Sequence, residues 1–205
     1  MNLNLLLYAR SRALPTTIVV LLAAAPATAW CADWLVAQPD LGPRARLPVV
    51  VLAPVLVAAA IGTSLYTHSD ELDRTAVRPW WPRRLAQLLL LTAVAAGLLT
   101  TAVPGHPELY GAPAMVRNVL GAVGVTALAA ALIRARLSWL PMLAHTSAVY
   151  FSAQAEPGGP GAVWAWSVQP GSQQTAWWTA AALFAAGTCL YAVRGARPES
   201  PGSRR

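Results

Sequence analysis

The side chains best suited to acid–base, nucleophilic or metal chemistry are scarce in this chain of 205 residues: three His, two Cys and eight Asp or Glu. There is no His-Glu-x-x-His pair to hold zinc and no Gly-x-Ser-x-Gly nucleophile turn. Two cysteines cannot by themselves build a structural zinc site, and Cys31 and Cys189 fall at different depths of their apolar blocks, which argues against a disulfide. All fifteen basic residues are Arg, so the nucleotide-binding loop that needs a Lys at the phosphates is missing. No catalytic residue, metal or cofactor is therefore expected in the chain, and it does not read as an enzyme. If ATP drives it, ATP and magnesium must bind a partner. Two polar residues remain as candidates for lining a pathway. His145 is the one His inside an apolar block, suited to a proton site or to a hydrogen bond between helices. Asp33, near the end of the first block, suits an outer vestibule or a plain interfacial position.

A denser group of charges lies at 67–84, THSDELDRTAVRPWWPRR. Ser69 or Asp70 can cap a short helix, with Asp70, Glu71 and Asp73 near its start and Arg74 and Arg78 toward its end, the order a helix dipole favours. Asp70 and Arg74 are spaced to pair, Leu72 and Ala76 make a small apolar stripe, and Pro79 stops the helix. Trp80, Trp81, Arg83 and Arg84 then mark re-entry into a membrane interface. The expectation is a charged docking helix over 70–78 rather than an ordinary solvated loop. A weaker interfacial element is expected at 1–12, where Leu3, Leu6 and Leu7 share a helical face. A third segment, 154–174, is rich in Pro and Gly yet contains Ala162-Val163-Trp164-Ala165-Trp166. It is too short to span. It can dip into the outer leaflet or rest on headgroups, with Trp164 and Trp166 as anchors.

The elements that must position these groups are apolar blocks. Apolar residues make up 56% of the chain and charged ones 11%, too few for the polar coat of a soluble domain. Six blocks near the ~20 residues that cross a bilayer fall at 13–36, 47–66, 85–103, 114–133, 137–152 and 175–193. The fifth is short. Pro54 predicts a kink in the second, and Pro141 a tolerated helix start in the fifth. Placing both termini inside puts twelve of the fifteen Arg on the inner side and leaves Arg44, Arg46 and Arg117 outside, the bias that sets orientation. The +7 charge sits at block ends rather than on one face, which speaks against nucleic acid. Ala27-Thr28-Ala29 after a basic start imitates a signal-peptide cleavage site; the continuing apolar stretch through Trp34 and Val36 favours an uncleaved span. The expected fold class is an all-α polytopic protein of the plasma membrane: one domain, six transmembrane helices, both ends cytoplasmic.

That architecture resembles the permease subunit of type-2 ABC exporters (the type V fold), with similarity at residue level limited to SDELDRTAVRP, MVRNVLGAVGVTAL and WSVQP. The resemblance implies that Asp70, Glu71, Leu72, Asp73, Arg74 and Arg78 form a coupling helix on a separate ATPase subunit. It also implies that 1–12 is a connecting helix and that 163–166 is an outer re-entrant region. The implied partners are that ATPase, a second permease copy or a related one, and membrane lipid. The chain lacks the extracellular domain of larger members. Two other readings stay open: a non-transporting scaffold or immunity protein, and an ion-coupled carrier using His145 and Asp33.

Overall fold

Proline marks where the helices begin. A computed structural model describes residues 14–40, 42–65, 80–104, 110–152 and 160–197. Its first five helices are α1 (Leu14–Val36), α2 (Leu47–Ser64), α3 (Trp81–Thr101), α4 (Ala112–Leu132) and α5 (Leu140–Ser152). Each carries Pro as its second residue: Pro15, Pro48, Pro82, Pro113 and Pro141. In a first turn the missing N–H would have had no partner and the fixed φ is already helical. The last helix, α6 (Gln174–Arg194), instead follows a turn closed by the Gln173 N–H on the Pro170 carbonyl. No strand occurs among the described residues.

Five of the helices, all but α5, have 18 to 23 residues and are apolar enough to cross a membrane. They fit a multi-pass membrane protein and match the blocks read from the sequence to within a few residues. The outer surface agrees: Phe151, Val193, Trp178, Leu56 and Leu90 stand largely exposed, as side chains facing lipid do. The fifth block differs. Residues expected at its start form a 3-10 turn (Ala135–Leu137), and α5 has only 13 residues. At 1.5 Å per residue that is about 20 Å, short of the ~30 Å hydrocarbon layer.

α4 is the centre of the bundle. It packs on α2, α3, α5 and, most intimately, α6. The α4–α6 contact is close because it is made by glycine: a methyl group on Gly187 would run into the Gly124 carbonyl, and one on Gly124 into the backbone of Leu183 and Phe184. Ala122, Ala127, Ala130, Ala176 and Ala180 are fully buried around that crossing. Small residues are what let helix backbones approach in a membrane, where no hydrophobic force drives them together. α1 packs on α2 and α3 at the periphery, and an apolar cleft of about 330 Å3 opens between α1 and α2 beside Ala27, Cys31, Leu52 and Leu56.

Cross-chain bonds separate the two ends of the bundle. At one end Arg46 donates to the Pro104 carbonyl and Tyr110 to that of Val168. At the other, Gly195 adopts φ 73° against the Arg84 guanidinium, and Arg197 donates to the carbonyls of Ala130 and Leu132 at the end of α4. α2, α4 and α6 therefore run parallel, with α1, α3 and α5 opposed.

Candidate functional site

Among the described residues, the connection that folds inward is 160–173, between α5 and α6. Two short 3-10 turns, Pro160–Ala162 and Trp166–Val168, are its regular structure. The rest is irregular backbone, and Ala165, Trp166, Ser167, Val168 and Gln169 are all buried. Irregular backbone among apolar helices needs partners for its carbonyls. α4 supplies them from adjacent residues. Arg117, fully buried, donates from one terminal nitrogen to the Pro170 carbonyl (2.7 Å) and from the other to that of Gln169 (2.7 Å). Its Nε donates to Asn118 Oδ1 at 3.1 Å. Asn118 Nδ2 in turn donates to the Ser167 carbonyl (2.7 Å) and to the Val50 carbonyl (3.0 Å). The guanidinium fork suits two successive carbonyls as a point-like ammonium does not.

The Val50 carbonyl is free because of Pro54. In a helix that carbonyl would accept the N–H four residues on, and proline has none. Pro54 lies within α2, which runs on from Leu47 to Ser64 without a break. The proline that reads as a kink signal is thus also the source of an acceptor, and Asn118 fills it.

Below this clamp the segment inserts Trp166. Its indole is 2% exposed and lies on Gly121, where a methyl group would collide with the ring. Gly121 is nine residues into α4, so the ring reaches about 14 Å below that helix's start. His145 of α5 stacks on Trp166 with ring centroids 5.9 Å apart and meets the edge of Trp164 at 4.9 Å. His145 Nε2 finds no partner among the described residues. The same holds for Thr146 Oγ1, Ser167 Oγ and both side-chain polar atoms of Gln169. Val51, Val149, Ala165 and Val168 form a small separate apolar cluster against the segment. At its rim, burial pushes the Tyr110 phenol up from its ordinary pKa, against the opposing pull of Arg44 and Arg117.

No family model, curated protein or solved structure matches this chain. The arrangement is consequently read from its own geometry. It holds a non-helical stretch of chain against the bundle interior, spreads one buried positive charge over three oxygen acceptors, and leaves several buried polar groups without a bond.

The residues singled out in the sequence are dispersed. Trp164 is exposed, whereas Trp166 is inside, its indole lying on Gly121 of α4 where a larger side chain would collide with it. Trp81 and Arg83 are exposed, with Arg83 over the Trp80 ring at 5.1 Å. Arg84 departs from an anchoring role, turning inward onto Gly195 with 9% exposure. Asp33 is exposed on peripheral α1 and is not brought near His145. Residues 70–78, with Asp70, Glu71, Leu72, Asp73, Arg74 and Arg78, and residues 1–12 lie outside the described residues. Among the described residues no group of three His, Cys, Asp or Glu gathers as a metal site would. Arg117 and Asn118 were the residues missed. The signal was present as a charged residue inside the apolar block 114–133.

Proposed function

We propose that this chain is the membrane-spanning subunit of an ABC exporter, half of a pathway completed by a second permease and driven by a separate ATPase that binds ATP and magnesium. The supporting observation is the clamped segment 160–173, folded into the bundle between the short α5 and α6. The resemblance implies an outer re-entrant region at 163–166, within this segment. The buried polar atoms left unbonded around it each cost about 1–3 kcal/mol. A state in which the segment moves and these groups gain partners is accordingly within reach of a ligand's differential binding. In this reading both termini and 70–78 face the cytoplasm of the plasma membrane, where the ATPase docks.

The test is purification of the tagged chain from its native membranes after cross-linking. A nucleotide-binding subunit is expected to accompany it, and the combined charge reversal E71R/D73R/R74E is expected to abolish coupled ATP hydrolysis while leaving the chain folded. Absence of any nucleotide-binding protein would overturn the reading. The glycine-tight α4–α6 packing equally suits a non-transporting scaffold. An assembly without an ATPase, and with no cavity between protomers, would favour that function.

A further inference from the structure

At the end of the bundle opposite the clamp, the α4–α5 connection and the residues after α6 are joined: the Arg197 N–H bonds the Ala130 carbonyl at 2.9 Å and its guanidinium the Leu132 carbonyl at 2.9 Å. This junction gathers Arg134, Arg136, Arg194 and Arg197, all exposed. Immediately beside the four arginines, Ile133 and Val193 present bare apolar surface, and the Trp139 indole N–H is turned onto the Arg136 carbonyl at 3.0 Å. Positive charge directly above an apolar belt with a tryptophan at the boundary is matched by a molecule that is anionic at its head and aliphatic below it. A soluble acidic partner would match the charge and leave the belt unexplained.

We infer that the joined ends of α4 and α6 form a binding site for the phosphate headgroup of an anionic phospholipid, the acyl chains lying along Ile133 and Val193. The site is independent of the exporter reading, because it needs no partner protein. The full-length chain, purified in a neutral detergent, would be offered equal amounts of phosphatidylglycerol and phosphatidylcholine and the bound lipid measured by native mass spectrometry. Phosphatidylglycerol is expected to be retained in preference. Each arginine is expected to contribute about fivefold, so the exposed-surface variant R134Q/R194Q should lose most of the preference. R134K/R194K, which keeps the charge, should retain it, and Arg44→Gln at the opposite end should leave it unchanged. Equal retention of the two lipids, an undiminished preference in R134Q/R194Q, or displacement of the lipid by millimolar inorganic phosphate would each overturn the assignment.

Discussion

Asn118 makes three side-chain bonds, as Arg117 does: one amide bonds a carbonyl orphaned by Pro54, a carbonyl of the inserted segment, and the Arg117 guanidinium. Asn118→Ala removes all three bonds and strands two buried acceptors. The expected cost is about 2–4 kcal/mol, read as a lower Tm of the detergent-solubilised chain. Asn118→Gln, with the same groups one methylene longer, is expected to recover little, since its amide no longer reaches both carbonyls at once. Tyr110 makes a different, pH-dependent statement. Its phenol donates to the Val168 carbonyl and burial raises its pKa above the ordinary 10.0. The folded chain thus favours the neutral phenol. Its contribution to stability is fully present below pH 10, where the unfolded phenol is also neutral, and is lost as pH rises through the higher folded value. A tyrosinate absorbance titration should therefore contain a component ionising above the ordinary value of 10.0 that is missing in Tyr110→Phe.

The elements themselves were largely legible. Apolar run length located the five long helices, though it counted six spans, and a Pro in second place marks the start of α1 to α5, because both depend on local properties that any stretch of chain carries with it. α5 was less legible. Hydropathy does not distinguish residues that span from residues that merely precede an inserted turn, and 137–152 looked like a short span. Trp166 was illegible for a further reason: whether an indole anchors at a surface or fills a gap depends on the residue opposite, here Gly121, 45 positions away in the chain. That pairing is testable as a unit. Gly121→Ala alone is expected to push the ring out of place and destabilise the chain by about 1–3 kcal/mol. With Trp166→Leu in the same chain, the added methyl should cost much less. The two changes should deviate from additivity by at least 1 kcal/mol in thermal unfolding, as contacting residues do.

At the level of the whole molecule, two charged layers close the two ends of an apolar bundle, and they are unlike. One is inward-facing, with Arg117 buried and bonded; the other displays Arg134, Arg136, Arg194 and Arg197 on the surface. Because six of the nine arginines among the described residues (Arg83, Arg84, Arg134, Arg136, Arg194 and Arg197) fall on the side of the exposed layer, that side is expected to be cytoplasmic. Single cysteines introduced in a background lacking Cys31 and Cys189 check this in intact cells. A membrane-impermeant thiol reagent should label Arg44→Cys directly and Arg136→Cys only after the membrane is opened.

The clamp also imposes a schedule on biosynthesis. The carbonyls that receive the Arg117 guanidinium lie 52 and 53 residues further along the chain. At about 5–20 residues per second, α4 is made some 3–10 s before those carbonyls exist. During that interval a charged residue sits in a nascent apolar helix with only the Val50 carbonyl already synthesised for its neighbour Asn118. α4 must then wait beside the insertion machinery or in contact with water until the ribosome has passed Pro170, and its closest partner, α6, emerges only after that.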